Sequence, residues 1–318
     1  MGEPVRILLR EEVAATLDMA ACIEACELAF AAHSSGAAEL PGVIHLDVPE
    51  SGGEVHVKAG HLHGFPYYAV KAASGFTGVD PPANDGLVVV FDARDGSPAA
   101  ILLDGGYLTD LRTGAAGGVA AKHLAPETVG TVGVIGTGIQ ARRQVEALAV
   151  ARPGFDEIRV WGRSAERTRA AAEELESALG IGSRRAPTVE DAVADADVVI
   201  TATASREPLV RAEWLAPGVH VTAVGSDGAG KQELDPEILR RADVLAVDSL
   251  DQCGRLGELQ HAPDQAERAV ELGLICAGDA AGRTSAEQLT VCDLTGLGVQ
   301  DVAAANVVMA RIGDSGSR

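Results

Sequence analysis

The run TVGVIGTGIQARRQVEAL, residues 131–148, constrains this chain more than any other stretch of its 318 residues. An apolar strand, Thr131–Ile135, leads into Gly136-x-Gly138-x-x-Ala141 and then into a helix-forming sequence, which is the context a dinucleotide fingerprint requires. Gly136 permits the tight turn, Gly138 lets the backbone approach a pyrophosphate, and Ala141 lets helix and strand pack closely. The helix start adds free N–H donors and the positive end of a dipole. Gly136, Thr137, Gly138, Ile139 and Gln140 are therefore the first candidate cofactor contacts. A glycine turn that binds nothing is the plain alternative, and the strand–turn–helix context argues against it.

Cofactor choice is read at the end of the second strand, where an acid would accept hydrogen bonds from the ribose 2′-hydroxyl. Here that strand ends IRVWGRSAERT. Arg163 and Ser164 stand where the acid would be, with Arg167 a turn further on. A guanidinium and a hydroxyl suit a 2′-phosphate, so NADPH is favoured, with NAD as the alternative. The plain alternative is a solvated helix start whose arginines pair with Glu166. Thr203, just past a third apolar run, joins the candidate cofactor contacts.

Around the fingerprint the chain alternates short apolar runs with helical patterns. Thr131–Ile135, Glu157–Trp161, Val198–Thr201, His220–Val224 and Val244–Val247 read as strands and Ala165–Leu179 as a helix, which predicts a parallel, doubly wound sheet. The earlier part has another rhythm. Asp18 is an N-cap candidate for an Ala-rich helix reaching His33 and ending near Gly36. Gly42–Val48, Glu54–Ala59, Tyr67–Ser74, Leu87–Asp92 and Ala99–Leu103, broken by Gly, Pro, Asp and Asn, predict an antiparallel meander. A helix follows from Gly106 to Leu124, ended by Pro126. The tail GDSGSR is expected to fray.

Composition narrows the partners. With 47% hydrophobic residues but only 3% aromatics, the core must be aliphatic, as suits parallel strands covered by helices. A formal charge of −20 opposes both nucleic acid and anionic membrane surfaces, leaving small molecules. Five cysteines without a CxxC pair indicate neither a disulfide framework nor a zinc ribbon; Cys22 and Cys26, four apart on one helix, are expected to be buried. MGEPVRILLREEV carries acids where a signal peptide needs an apolar stretch, and no apolar run is long enough to span a bilayer, so a cytoplasmic location is expected.

Five motifs carry a resemblance: YAVKAASGF around Lys71, LTDLRTGAAGGVAAKHLA around Arg112, VIGTGIQA, VGSDGAGKQELDPEIL around Asp227, and LTVCDLTGLGVQD near the end. In content and order the chain resembles the ornithine cyclodeaminase and mu-crystallin family, which includes alanine dehydrogenases and ketimine reductases. The resemblance implies an α/β protein: a Rossmann doubly wound parallel sheet at 113–299, plus an N-terminal α+β substrate-binding and dimerisation domain at 1–112, completed by the C-terminal helix at 300–318. It implies a homodimer formed through the N-terminal sheet, and a small amino or imino acid as substrate.

The roles implied are specific. The lysine and arginine matched by Lys71 and Arg112 hold substrate, and the aspartate matched by Asp227 takes part in proton transfer. A bidentate Arg112 grip on a 2-imino acid's carboxylate, Lys71 on the carboxylate or the reacting nitrogen, and Asp227 as proton relay make coherent chemistry. Thr113, placed after Arg112 at an expected helix start, is implied at a cofactor phosphate, and Thr295, Gly296 and Leu297 beside the nicotinamide. Each has a plainer reading: a strand-edge lysine, a surface arginine, a turn-forming Asp-Gly.

The chain departs from the cyclodeaminase pattern. Gly42 stands where those enzymes carry an arginine, His56 where they carry a glutamate, and Lys58 and Ala59 at a Met-Pro pair. This turns expectation toward an NADPH-dependent imino-acid reductase or amino-acid dehydrogenase. A cyclodeaminase-type lyase and a non-enzymatic NADPH-binding protein of the mu-crystallin kind are the alternatives. His56 and Lys58 become candidate substrate contacts. His56, His61 and His63 lie close in VHVKAGHLHG, but no carboxylate or thiol completes a ligand set at sequence spacing, so no metal is expected, and His45 is read as structural.

Overall fold

The structure, a computed structural model, describes residues 4–76, 78–79 and 83–315. It divides into two compact units, Met1–Arg112 with Leu297–Arg318, and Thr113–Gly296.

The first unit is built on β1 (Arg6–Leu9), α1 (Arg10–Thr16), α2 (Met19–Ser34), β2 (Ala38–Glu39), β3 (Ile44–Val48), β4 (Gly53–Leu62), β5 (Tyr67–Phe76), β6 (Ala83–Asp92) and β7 (Pro98–Leu103), followed by α3 (Tyr107–Leu124), inside which the boundary falls. The sheet order is β1-β7-β6-β5-β4-β2, with β3 beside β4. The expected meander is present from β3 to β7. The pattern missed β1, which joins β7 in parallel and runs into α1 with no turn residue to announce it. Asp18 caps α2, its Oδ1 accepting from the Ala21 N–H at 2.8 Å.

Register sorts this sheet into two faces. Lys58, Lys71, Val88, Leu102 and Leu8 oppose one another in turn across β4, β5, β6, β7 and β1. This face is closed, and Ala69, Lys71, Val88, Val90, Ala100 and Leu102 are all buried on it. The opposite face carries Ile7, Leu9, Ile44, Leu46 and Leu103, which are exposed.

The second unit contains β8 (Thr131–Ile135), α4 (Ile139–Ala151), β9 (Glu157–Trp161), α5 (Ala165–Leu179), β10 (Gly182–Arg185), α6 (Val189–Val193), β11 (Val198–Thr201), β12 (Arg206–Val210), β13 (His220–Ala223), β14 (Gln232–Leu234), α7 (Pro236–Arg241), β15 (Val244–Val247), α8 (Leu250–Leu256), β16 (Val270–Glu271), α9 (Leu272–Ala277) and β17 (Thr290–Asp293). Eight strands form a wholly parallel sheet, β10-β9-β8-β11-β13-β17-β15-β16; β12 and β14 pair separately. The strand order reverses between β8 and β11, where open α/β sheets bind ligands at the carboxyl ends of their strands. The cores on its two faces are almost entirely aliphatic, with Val134, Ile158, Val160 and Ile200 in one and Val199, Val221, Leu245 and Val291 in the other.

The chain returns to the first unit as α10 (Gly298–Ser315), which packs on β4, β5 and α2. Asn306 Nδ2 donates to the Tyr67 carbonyl at 3.1 Å. Residues 313–315 of the tail expected to fray continue this helix, and 316–318 lie outside the described residues. Among the described residues no helix is long and apolar enough to cross a membrane.

Candidate functional site

Strand alternation turns Lys71 of β5 onto the closed face between Ala69 and Ala73. α3 brings Arg112 to it, and α10 brings Asp301. Lys71 Nζ lies 3.1 Å from Asp301 Oδ1 and 3.0 Å from Oδ2, and Arg112 Nε donates to Oδ1 at 2.9 Å. Lys71 and Asp301 are 2% exposed and Arg112 is 5% exposed. Burial lowers the Lys71 pKa to about 7, helped by the Arg112 guanidinium and opposed by Asp301. Burial acts to raise the Asp301 carboxyl, but Arg112 and Lys71 outweigh it and hold it below its ordinary value.

Arg112 is also held through its backbone: its carbonyl accepts from Gln300 Nε2 at 3.5 Å and lies 3.6 Å from Cys26 Sγ. Among the described residues its side chain is engaged through Nε alone, which leaves both Nη groups for a ligand. Lys58 stands opposite Lys71 across the β4–β5 ladder, and His56, opposite Ala73, shares that face; both are half-buried. Three cationic side chains around one buried carboxylate leave positive charge, which suits a small anion such as a carboxylate. Asp301 was not singled out in the sequence, because an acid in the first turn of a helix is ordinary there. The available signal was that the residues around it, Gln300 and Val302–Ala305, are apolar or uncharged.

The fingerprint passes a test of fit for a dinucleotide. Gly136 has φ +136°, and a Cβ there would lie 2.5 Å from the Ala202 carbonyl at the end of β11. A Cβ on Gly138 would meet nothing within 4 Å, so the loop is open on the side a pyrophosphate would approach. Gly138 is the N-cap of the 13-residue α4 and makes no side-chain cap hydrogen bond, so the positive end of the helix dipole faces this turn without a capping side chain. Thr137, Ile139 and Gln140 are half-buried in this turn. Arg163 and Arg167 are exposed and form no ion pair among the described residues, so the alternative of pairing with Glu166 is not seen. The Ser164 hydroxyl accepts from the Arg167 N–H at 3.3 Å as the cap of α5, and keeps its own hydrogen to donate.

Other candidates fall at strand ends of this unit. Thr203 follows β11 and donates its N–H to Glu233 Oε1 at 2.6 Å. Asp227 lies in the loop after β13 and is paired with Lys231 at 2.6 Å, with 41% of its side chain exposed. Thr295 and Gly296 follow β17, and their N–H groups donate to Asp248 Oδ2 at 2.8 and 2.6 Å. Leu297 is buried in the first unit, its N–H on Gln300 Oε1 at 2.7 Å.

One expectation is corrected. Thr113 is not at a helix start: α3 begins at Tyr107, so Thr113 lies in its interior, where its N–H belongs to the helix ladder. Its carbonyl accepts from Gln144 Nε2 at 2.7 Å, and a Cβ on the next residue, Gly114, would lie 2.7 Å from the Arg143 carbonyl. The glycines of LRTGAAGG thus let α3 and α4 approach closely. The three histidines of VHVKAGHLHG fall on two faces, with the His61 and His63 rings 5.9 Å apart. His61 points to the face opposite His56 because strand side chains alternate, and His63 pairs with Glu39 at 3.3 Å, while His45 stands opposite His56.

Residues 4–316 match the model of the Ornithine cyclodeaminase/mu-crystallin family. The alanine dehydrogenase of Archaeoglobus fulgidus (strain ATCC 49558 / DSM 4304 / JCM 9628 / NBRC 100126 / VC-16) is 37% identical over 310 residues, covering 95% of this chain and 93% of that protein. A solved archaeal alanine dehydrogenase dimer with bound NAD superposes with a TM-score of 0.89 at 35% identity, covering 98% of this chain and 97% of that one. The Delta(1)-pyrroline-2-carboxylate reductase of Thermococcus litoralis, in complex with NADH and L-proline, superposes with a TM-score of 0.91 at 28% identity, covering 98% of both chains. The fold, the motifs in their order and these matches agree, and the chain belongs to the ornithine cyclodeaminase/mu-crystallin family.

Proposed function

We propose that this chain is a nicotinamide-dependent oxidoreductase acting on the carbon–nitrogen bond of a small 2-amino or 2-imino acid, as an imino-acid reductase or an amino-acid dehydrogenase. The observation that carries the reading is the buried Lys71–Asp301–Arg112 cluster, with a lysine whose pKa is about 7 beside an arginine whose two Nη groups are open. The alanine dehydrogenase and the pyrroline-2-carboxylate reductase that the chain resembles support the substrate class.

Gly136, Thr137, Gly138, Ile139 and Gln140 would hold the pyrophosphate, with Thr203, Thr295, Gly296 and Leu297 as further contacts. NADPH is favoured over NADH on the strength of Arg163, Ser164 and Arg167. A nicotinamide bound there supplies or accepts the hydride. Arg112 grips the substrate carboxylate through Nη, a bidentate geometry that lysine cannot reproduce. Asp301 fixes the guanidinium from its other edge. Lys71, with a pKa of about 7, holds a proton at Nζ that it can give to or take from the reacting nitrogen near neutral pH. Asp227, paired with Lys231, holds the substrate's ammonium or iminium. His56 and Lys58 meet the substrate's side chain.

The test is a panel of cyclic and acyclic 2-imino acids and their amino acids, assayed for change in nicotinamide absorbance with each cofactor. Turnover of at least one imino acid is expected. Release of ammonia from a diamino acid without net cofactor change would replace this reading with a cyclodeaminase. NADPH binding without any turnover would replace it with a binding protein.

A further inference from the structure

We propose that β3 and β4 carry a binding site for one divalent d-block cation of the zinc, cobalt or nickel type, with His45, Glu54 and His56 as ligands. Each of the three offers one ligand atom, and these atoms lie within 4.8 Å of one another. Register creates the site. His45 stands directly opposite His56, and Asp47 directly opposite Glu54, in an antiparallel ladder. Opposed residues share a face with Cβ atoms about 4.5–5.5 Å apart, so two imidazoles and two carboxylates form a square on one side of two strands. The two rings have centroids 4.7 Å apart.

The donor set selects the ion. Two imidazoles and a carboxylate suit zinc, cobalt or nickel, whereas magnesium and calcium take oxygen ligands. Metal–ligand distances of about 2.0–2.2 Å put ligand atoms roughly 3–3.5 Å apart, so the side chains have at most about 1–2 Å to close. Glu54 is exposed and can close that distance by rotation, and His45 is exposed as well. Asp47 Oδ1 lies 3.0 Å from His45 Nε2, the kind of carboxylate–imidazole contact that orients a ligating ring. Lys58, the next residue of β4 on this face, disfavours a cation, and the charges of Glu54 and Asp47 outweigh it. Three ligands leave a fourth position for water, as in catalytic rather than closed structural sites. An ion here would clip β3 to β4, its one hydrogen-bonded neighbour among the described residues, on the same sheet face as Lys71. The binding test below reads the ion directly and needs no turnover, although His56 is also the residue proposed above to meet the substrate's side chain.

Untagged full-length protein, stripped with a chelator, is titrated with zinc chloride by calorimetry and with cobalt(II) by visible absorption. One ion per chain is expected, with cobalt d–d bands of a low-coordinate site. His45→Ala and Glu54→Gln should each weaken binding by about 100-fold or abolish it, with unchanged circular dichroism in chelator. His63→Ala, on a residue paired elsewhere, should leave the affinity intact. Absence of a saturable site, or affinity that survives His45→Ala, overturns the proposal, as does affinity lost in His63→Ala instead.

Discussion

Asp301 keeps its charge in a buried position because two cations touch it, and that dependence runs both ways. Asp301→Asn removes the influence that raises Lys71, so the Lys71 pKa is expected to fall below about 7 and the limb of the kcat/KM–pH profile that tracks it to move to lower pH. Removing one partner of a buried pair typically costs about 3–5 kcal/mol, so Tm should fall as well. A folded variant with an unmoved pH limb would take Asp301 out of the site. Arg112 and Asp227 should separate differently. Arg112→Ala is expected to lose about 2–5 kcal/mol, mainly as raised KM, because the carboxylate grip serves ground and transition state alike. Asp227→Asn should instead depress kcat and leave cofactor affinity nearly intact, since its charge matters as the C–N bond changes. Steady-state kinetics with the best substrate of the panel decide both. Arg163→Ala should weaken NADPH by about tenfold or more and leave NADH unchanged, as expected for one lost charge-assisted contact worth about 1.5–3 kcal/mol. Equal losses in calorimetric titrations with the two cofactors would show that Arg163 does not meet the 2′-phosphate.

Two buried acids, Glu233 and Asp293, lie on strands of the second unit. Glu233, on β14, accepts from Thr201 Oγ1 at 2.7 Å, the Thr203 N–H at 2.6 Å and the Gly225 N–H at 2.8 Å, tying the ends of β11 and β13 to β14. Burial raises its pKa to about 7, and raises Asp293 at the end of β17 to about 7. A carboxyl raised in the folded state binds its proton more tightly there than in the unfolded chain. Its contribution to stability is therefore full below the ordinary carboxylate pKa and lost as pH rises through about 7. His220 has the opposite sign. Burial lowers it to about 3, so stability is lost as pH falls from its ordinary 6.5 toward that value. Thermal melts should show Tm falling between about pH 5 and about pH 8, and Glu233→Gln should flatten that fall. An unaltered slope in the variant would mean Glu233 is ionised throughout. The sequence pattern located the strands β8, β9, β11, β13 and β15, because each is a short apolar run between turn residues. It missed β17, which lies buried between β13 and β15, because TVCD is too short and mixed to stand out from its motif.

On the whole molecule, the apolar residues on the open face of the first sheet are conspicuous. Ile7, Leu9, Ile44 and Leu46 are each more than half exposed, at 58, 56, 63 and 57%, and share a face with Leu103. Patches of this kind mark interaction surfaces. A second copy of the chain is the proposed cover, joining the two sheets by their open faces in a symmetric dimer. Light scattering should give twice the chain mass, and Ile44→Glu with Leu46→Glu should shift the particle to monomer without changing the far-ultraviolet circular dichroism. With a formal charge of −20 on each copy, the dimer should also tighten as salt is added. A monomer at micromolar concentration would refute the assignment.

What the sequence determined by itself is local: the Gly136–Ala141 turn between a strand and a helix, the Asp18 cap, the strand and helix ends set by turn residues, and the motifs that mark the family. Periodicity, capping and turn chemistry act within a few residues, so they can be read without the fold. The tertiary structure decided what meets what. Lys71 reaches Asp301 across 230 positions and Arg112 reaches it across 189. His56 finds His45 on the neighbouring strand, while its sequence neighbour His61 turns to the other face. Thr113 becomes the interior of a helix whose start, at Tyr107, lies a turn and a half earlier. Those outcomes depend on strand register and on which helix covers which sheet face, and these follow from packing the whole unit, where a shift of one residue exchanges every side chain between core and solvent.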